Sequence, residues 1–360
     1  MPGSSIEAGV NSDFTLPCRQ QLELAADLHA LAEPKAAPAL AGRLREYLLS
    51  AVGNGLDGLV ATRLVSEFND RLTARIIALT AQRHRLPPVA WCWLALGSEG
   101  RHEQTFVTDQ DNGLIFNATS EQEAGALRRI YLPFAEAVNE HLAACGFALC
   151  TGQIMAGNPA WCLSLDEWRD RFIDWVRRPE PEALLNASIF FDLRPLYGEL
   201  ALGEELRTVL LAMTEATPSF QHLMAANALQ VDVPLNFRGE VAVDEGESVD
   251  LKKYGSRIFV DAARIFALSS GTRAVNTAER LRQAGAAIGL PAPEIAAAEA
   301  AFSQILRLRL GQQIAAAGRG EAGSHGLKPA ALHEVDRAIL RETLKQARRL
   351  QQRLKLNYAL

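Results

Sequence analysis

Apolar residues in the first quarter of the chain recur at the spacing of amphipathic helices. They form three runs, at residues 24–31, 40–48 and 60–79. Pro34 and the glycine-containing segment 53–58 separate these runs, and Pro87 and Pro88 follow the last one. Because proline and glycine interrupt helices, the pattern predicts three helices before about residue 85.

The hydrophobic pattern changes after the two prolines. Residues 89–97 (VAWCWLALG) form a continuous apolar run, which is typical of a strand buried on both faces. Residues 109–118 and 146–156 predict two further strands, and the helical spacing of residues 120–145 predicts a helix between them. This alternation of strands and helices predicts an α/β arrangement for about residues 86–200.

An aromatic stripe follows the predicted third strand. Trp161, Trp168 and Trp175 are spaced by seven residues, which places them on one face of a helix. We interpret the stripe as core packing rather than as a platform for stacked bases, because aromatic residues at this spacing are usually buried. Residues 188–198 (SIFFDLRPLYG) predict another strand, and helical spacing resumes from residue 199 to the end.

These patterns predict an α+β protein of three parts. We expect a helical region at 1–85, a mixed α/β domain at 86–200 and a helical domain at 201–360, with the active cleft between the last two parts. The 360 residues exceed what one core normally organises, and 48% of them are hydrophobic, so the chain can bury the apolar surface that such domains need.

Charge and cysteine content narrow the expected surroundings and partners. There are 37 basic and 42 acidic residues, giving a net charge of −5, which disfavours nucleic acid as the main partner. The five cysteines form no CxxC pair, which favours reduced thiols. Residues 1–16 show no secretory signal, and no apolar run approaches the length of a membrane span. We therefore expect a soluble cytoplasmic protein without a membrane partner.

Asp109 and Asp111 open the second predicted strand with one residue between them. Alternate strand residues face the same side, so the two carboxylates lie close together and repel each other unless a cation binds. Hard oxygen ligands of this kind favour Mg²⁺ or Mn²⁺, with substrate phosphates completing the coordination shell. The alternative is that both residues are solvated acids in a turn.

Gly97 and Ser98 end the first predicted strand, ten residues before this pair. Glycine allows a phosphate to approach the backbone, Ser98 offers its hydroxyl and backbone N–H, and a helix that begins here directs its positive end at an anion. Arg101 either neutralises phosphate charge or pairs with Glu103 or Asp109. The segment therefore predicts a site where a metal and a phosphate meet.

Residues 97–116 (GSEGRHEQTFVTDQDNGLIF) resemble the nucleotidyltransferase motif of the DNA polymerase β superfamily. Within that superfamily the chain is similar to the bacterial nucleotidyltransferases related to the amino-terminal domain of PII uridylyltransferase. Further segments that resemble this family, including its carboxy-terminal substrate-binding domain, are residues 155–168, 190–198, 250–268 and 276–281.

The resemblance implies a mixed sheet with helices and a Mg²⁺-dependent transfer of a nucleoside monophosphate from an NTP to a hydroxyl, with release of pyrophosphate. We expect the acceptor to be a protein, as in uridylyl or adenylyl transfer, and the alternative is a small molecule. A third carboxylate normally joins the aspartate pair, and Asp192 is the candidate for it, because an acid inside an apolar strand is costly to bury without a partner. The alternative is that Asp192 pairs with Arg194 or Arg101.

Lys252 and Lys253 precede a predicted amphipathic helix. We expect them to face Gly97 and Ser98 across the cleft and to bind the outer phosphates of the NTP. The alternative is a solvated face on which Asp261 pairs with its neighbouring arginines.

The alternative function is a regulatory module that binds nucleotides without turnover. An Asp192 that lies away from the aspartate pair would favour this alternative.

Overall fold

A computed structural model describes residues 15–320 and 326–360. Helices α1 (Thr15–Ala30), α2 (Ala37–Gly53) and α3 (Gly58–Ala81) precede the sheet, as the sequence predicts. Asp57 caps α3, since its carboxylate accepts hydrogen bonds from the backbone N–H groups of Leu59 and Val60. The expectations for residues 1–14 and for part of the glycine-rich segment near 321–325 lie outside the described residues.

A mixed sheet of four strands follows: β1 (Trp91–Ala95), β2 (Asn112–Phe116), β3 (Cys162–Ser164) and β4 (Arg194–Gly198). Their order is β3-β2-β1-β4, with β1 antiparallel to both of its neighbours and β2 parallel to β3. Every residue of β2 is buried, because helices cover both faces of the sheet. The α+β class is therefore confirmed.

The strand predicted at 146–156 is wrong, and the strand predicted at 188–198 is correct only from Arg194, where β4 begins. Residues 146–156 form turns with only an isolated bridge between Asp109 and Ala148, since the backbone reverses at Gly146 and Gln153, where φ is positive. Residues 188–190 belong to helix α7 (Pro181–Phe190), whose buried residues recur at helical spacing. Asp192 consequently lies in the turn before β4 and not inside a strand.

The remaining helices surround this sheet or build the carboxy-terminal half. They are α4 (Gly97–Gly100), α5 (Glu121–Ala144), α6 (Leu165–Arg177), α8 (Leu200–Glu215), α9 (Pro218–Ala228), α10 (Arg257–Ser269), α11 (Thr277–Ala287), α12 (Ala292–Gly318) and α13 (Glu334–Tyr358). A short ribbon joins β5 (Val249–Asp250) to β6 (Gly326–Leu327). None of the described helices is long and apolar enough to cross a membrane.

Helix α10 is the centre of the carboxy-terminal half. Each residue from Ile258 to Leu268 is buried, so the predicted amphipathic stripe is wrong. The helix packs against α8, α9, α11 and α13, and its remaining side borders the cavity described below.

Two hydrophobic cores lie on opposite faces of the sheet. One combines α1, α2, α3 and α5 with Trp93 of β1, and the other combines α6 to α13 with Cys92 and Leu94 of the same strand. The three tryptophans of the aromatic stripe are buried in the second core, although Trp161 precedes β3 rather than lying on α6. Helices that precede the sheet in the sequence and helices that follow it both pack against the sheet in these cores. The domain boundaries at residues 85 and 200 therefore stay predictions.

Candidate active site

Asp109 and Asp111 lie side by side immediately before β2. The parallel bridge to Ala148 holds Asp109, and the carbonyl of Asp111 accepts a hydrogen bond of 2.9 Å from the backbone N–H of Leu96. One carboxylate oxygen of each aspartate and the Sγ of Cys150 all lie within 4.8 Å of one another. The extended backbone therefore brings both carboxylates to one side, as the alternation argument predicts.

The residues that alternate with the pair point away from it into a buried polar network. The side-chain amide of Gln110 donates to the carbonyls of Asn139 and Phe147 at 3.0 and 3.1 Å. Asn139 donates to the side-chain oxygens of Gln110 and Asn112 at 2.8 and 3.0 Å. Because these amides are fixed in the interior, the two aspartates must face the opposite side.

Gly97 has two reasons to be glycine. Its φ is +52°, a conformation that disfavours residues with a side chain, and an added Cβ would lie 2.7 Å from Oδ2 of Asp111. The backbone of the predicted phosphate-binding turn therefore contacts the carboxylate directly. Ser98 follows in the single turn of α4, and both residues line the cavity described below.

The negative charges of Asp109 and Asp111 are not fully balanced by the groups around them. Burial and the neighbouring Asp109 raise the pKa of Asp111 to about 6, although a hydrogen bond from Cys150 lowers it. Burial also raises the pKa of the Cys150 thiol, so this side chain stays a neutral hydrogen-bond donor to Asp111. The donor set, two carboxylates close together, fits a divalent metal ion.

A cavity of about 660 Å³ opens beside the pair. One wall comes from the sheet end, with Gly97, Ser98 and Asp109. The other walls come from α7, from the start of α10 and from α12, and they include the apolar residues Ile189 and Phe302. Clefts of this size hold small organic ligands.

Lys252 and Lys253 also line this cavity. The ammonium nitrogen of Lys252 is 4.0 Å from Oδ1 of Asp109, and that of Lys253 lies 4.8 Å from the ring centre of Tyr254. Both backbone N–H groups donate to Oδ1 of Asp250, at 2.8 and 3.0 Å. The structure thus places Lys252 beside the aspartate pair, while the expectation that both lysines face Gly97 and Ser98 stays a prediction.

A π-helical turn presents these lysines. Residues Lys252–Ser256 form it, and the N–H of Ser256 donates to the carbonyl of Leu251, five residues earlier, at 2.9 Å. This wider turn changes the direction of the backbone before α10 begins. Such turns occur frequently at functional sites.

The structure does not bring Asp192 to the aspartate pair. Asp192 is completely buried, and both of its carboxylate oxygens accept hydrogen bonds from Arg101, Arg264 and Arg280, at 2.5 to 2.9 Å. These arginines hold the pKa of Asp192 well below its usual range, despite the opposing effect of burial. The predicted metal-binding role is therefore corrected, because three guanidinium groups occupy the positions that a cation would need.

Two neighbouring arginines form ion pairs that the sequence left open, while a phosphate-binding role for Arg101 stays a prediction. Arg101 pairs with Glu103 at 2.7 Å as well as with Asp192, while its side chain still lines the cavity. Arg194 does not bind Asp192 but forms an ion pair of 2.8 Å with Asp70. Asp192 and Arg101 thus belong to a buried ionic cluster that borders the site.

Two family models match the chain. Residues 42–182 match the family described as "Putative nucleotidyltransferase DUF294", and residues 218–358 match its "Putative nucleotidyltransferase substrate binding domain". The chain belongs to this nucleotidyltransferase family. Among curated proteins, none matches the chain significantly. The first match contains the aspartate pair, Gly97 and Ser98, and the second contains both lysines.

Several residues of the site escaped sequence reasoning. The cysteine pattern predicts only a reduced thiol at Cys150, although this side chain contacts Asp111. Arg309 and Arg264 line the cavity from α12 and α10, inside helices whose pattern gives no sign of a ligand site. A buried arginine in an otherwise apolar helix segment, such as RIFVDAARIFAL, is the one signal that could have identified them.

Proposed function

We propose that this nucleotidyltransferase binds an NTP with a divalent cation in the cavity and transfers the nucleoside monophosphate to a hydroxyl group, releasing pyrophosphate. The observation that carries the proposal is the Asp109–Asp111 pair beside a cavity that Lys252 and Lys253 also line. Acidic and basic groups around one cavity suit a metal-bound polyphosphate.

Asp109 and Asp111 would hold Mg²⁺ or Mn²⁺, since carboxylate oxygens are the preferred ligands of both ions. When bound, the cation supplies positive charge that stabilises the phosphate oxygens and lowers the pKa of an acceptor hydroxyl. The hydrogen bond from Cys150 orients Asp111 in this proposal. Because Gly97 has no side chain, the carboxylate of Asp111 can lie against the backbone there and reach the cavity.

The lysines neutralise the outer phosphates in this proposal. A nucleoside triphosphate carries about four negative charges at neutral pH, and the aspartate pair adds two more. Lys252 and Lys253 line the cavity and lie within reach of ligands bound beside Asp109. They favour departure of pyrophosphate because the leaving group gains charge as the bond to the α-phosphorus breaks.

The acceptor that we propose is a hydroxyl on a protein. This assignment rests on the similarity to the PII uridylyltransferase family, and the cavity supports it only by leaving a solvent-accessible approach to Asp109, whose side chain is 39% exposed. A protein side chain can reach a carboxylate of that accessibility. The base of the NTP stays open to experiment.

One observation favours a second candidate, nucleotide binding without transfer. Among the residues that the structure describes, no third carboxylate lies within ligand distance of the pair, because Asp192 is held by arginines and the third group at that distance is the Cys150 thiol. A protein of this kind would hold the metal-bound nucleotide and signal its presence to a partner.

The two candidates separate in one experiment. Purified protein is incubated with each of the four α-labelled NTPs, with Mg²⁺ or Mn²⁺ and a cell lysate, and both pyrophosphate release and label transfer to protein are measured. We expect both signals from one NTP, and their loss in Asp109→Asn and Asp111→Asn. The control is Asp166→Asn, since Asp166 is an exposed acid on α6. Nucleotide binding without pyrophosphate release would support the second candidate.

A further inference from the structure

Arg309 of α12 is a buried cation that lines the cavity. Only 9% of the residue is exposed. Its Nη1 donates to Oγ of Ser256 at 3.1 Å, and its Nε is buried without a hydrogen-bond partner. Among the residues that the structure describes, no carboxylate forms an ion pair with it. The guanidinium therefore presents unused donors beside the cavity.

The other buried arginines that the structure describes are bound to carboxylates or to backbone carbonyls. Arg264, which lines the same cavity, binds Asp192 and Asp261 at 2.6 and 2.7 Å. Arg207 lies away from the cavity, and its donors reach the backbone carbonyls of Leu193 and Arg273. Arg309 differs because it has neither a carboxylate nor a set of carbonyls.

An uncompensated charge at this depth is costly. Burial lowers the pKa of Arg309 to about 10, and the positive charge of Arg101 adds to the effect, while Asp250 and Glu103 oppose it. Natural proteins retain buried charges where a partner completes them. No carboxylate of the described part of the chain forms an ion pair with Arg309, and an anionic ligand in the cavity would supply one.

We propose that Arg309 binds a terminal phosphate group of the NTP from the α12 wall of the cavity. Guanidinium donors match phosphate oxygens in geometry and form strong charge-assisted hydrogen bonds with them. Arg309 lines the same cavity as the aspartate pair and Lys252, so a nucleotide bound there lies beside its guanidinium group. The inference rests on the proposed function, because it assigns the anion to the substrate of that site.

The test compares Arg309→Met with Arg257→Met. Methionine removes the charge and keeps a long apolar side chain. Arg257 also lines the cavity, but it is part exposed and pairs with Asp261 at 3.2 Å. Affinities for NTP, for the corresponding NMP and for inorganic tripolyphosphate are measured by calorimetry with Mg²⁺, together with the melting temperature without ligand. Arg309→Lys is the second variant, and it keeps the charge.

We expect Arg309→Met to weaken binding of NTP and tripolyphosphate by roughly 10- to 100-fold and binding of NMP by less than about 3-fold. Its melting temperature without ligand should equal or exceed that of the wild type, because an unpaired buried charge is removed. Arg309→Lys should bind with intermediate affinity, and Arg257→Met should retain most of the NTP affinity.

Unchanged NTP and tripolyphosphate affinity in Arg309→Met would overturn the inference, and so would equal losses for NTP and NMP. A wild type that releases pyrophosphate while Arg309→Met binds normally leaves the proposed function standing and removes only the inference. A wild type that binds tripolyphosphate and NTP through Arg309 but transfers nothing supports the inference and contradicts transfer. A wild type that binds neither ligand refutes both.

Discussion

The Asp109–Asp111 pair and Asp192 differ in how their negative charges are balanced. The pair faces a cavity, repels itself, and has Lys252 as its nearest cation, at 4.0 Å. Asp192 is completely buried, yet it accepts hydrogen bonds from three arginines. Both groups are acidic residues in the segments that resemble the family, but only the pair is left incomplete by the protein itself.

This difference separates residues that hold the fold from residues that wait for a ligand. Each oxygen of Asp192 is already bound, so the residue connects the turn before β4 to α10 and α11. Asp111 has a raised pKa because burial and Asp109 oppose its ionisation, and that penalty disappears when a cation binds. Unbalanced charge beside a cavity is therefore the better guide to function here.

The strongest test of the comparison removes the charge of Asp192. Asp192→Asn should lower the free energy of unfolding by about 3–5 kcal/mol, because three buried arginines lose their common partner. Chemical denaturation at neutral pH measures the change. The control Asp166→Asn, at an exposed ion pair with Arg169, should change it by less than about 0.5 kcal/mol.

The depressed pKa of Asp192 gives the sign of the pH effect. An acid whose folded pKa is lowered contributes stability above its ordinary pKa of 3.8, and this contribution is lost only as the pH falls through the folded value. The difference between wild type and Asp192→Asn should therefore be constant from pH 5 to 8. A variant as stable as the wild type would show that the arginine cluster is not a structural unit.

Gly97→Ala should have the next largest effect. A Cβ at this position meets Oδ2 of Asp111 at 2.7 Å and requires a positive φ, so we expect a loss of about 1–3 kcal/mol in stability. Displacement of the carboxylate should also weaken Mg²⁺-dependent NTP binding. Gly42→Ala is the matched control. Gly42 lies on the exposed side of α2, where an added Cβ meets nothing within 4 Å and should stabilise the protein slightly.

Asp111→Asn should stabilise the metal-free protein, in contrast to Asp192→Asn. Because the folded pKa is raised to about 6 from 3.8, ionisation of Asp111 costs stability that grows as the pH rises through this window. We expect a gain of up to about 2 kcal/mol above pH 7 and none near pH 4, since each pKa unit corresponds to about 1.4 kcal/mol and partial exposure reduces it.

The measurement is the unfolding free energy of Asp111→Asn and wild type at several pH values, with and without Mg²⁺. Saturating Mg²⁺ should stabilise the wild type alone and reverse the order of the two proteins. A variant that is less stable than the metal-free wild type at pH 7.5 would contradict a shared, unbalanced acidic site.

The sequence is sufficient for those features that depend on neighbouring residues. Strand alternation places Asp109 and Asp111 together. The charge of a triphosphate leads to the expectation of basic side chains nearby, and Lys252 and Lys253 line the same cavity. The partners of Asp192 are different, because Arg264 and Arg280 are 72 and 88 residues away in the chain. A local pattern shows that an acid is surrounded by apolar residues, but it does not show which distant side chain neutralises it.

Local patterns also predict the wrong secondary structure for turns that bury apolar residues. Residues 146–156 are as apolar as a buried strand, yet they form turns, in which Ala148 bridges to Asp109 and the carbonyl of Ile154 accepts a hydrogen bond from the backbone N–H of Asn112. The π-helical turn at Lys252–Ser256 has no periodicity signal, because five residues are too few to distinguish it from an α-helix. Tertiary packing decides both segments.

The smallest predicted effect concerns Lys252, the exposed cation next to the aspartate pair. Its side chain is 51% exposed, so Lys252→Gln should change the unfolding free energy by less than about 0.5 kcal/mol. NTP affinity should fall by roughly 3- to 10-fold at low salt, with a smaller loss for NMP, because the outer phosphates carry the additional charge. Lys345→Gln on α13, an exposed lysine that pairs with Glu342, should leave the affinity unchanged.

Salt distinguishes this exposed lysine from the buried Arg309. The Debye length shortens from about 10 Å at 0.1 M salt to about 3 Å at 1 M, so the affinity difference between wild type and Lys252→Gln should shrink as salt increases. The difference for Arg309→Met should persist, since a residue that is only 9% exposed is poorly screened. Titrations of NTP at about 0.05 and 0.5 M salt give both values. Equal salt sensitivity of the two variants would mean that Arg309 binds phosphate no more directly than Lys252 does, which would remove the distinction between a buried anchor and an exposed steering charge.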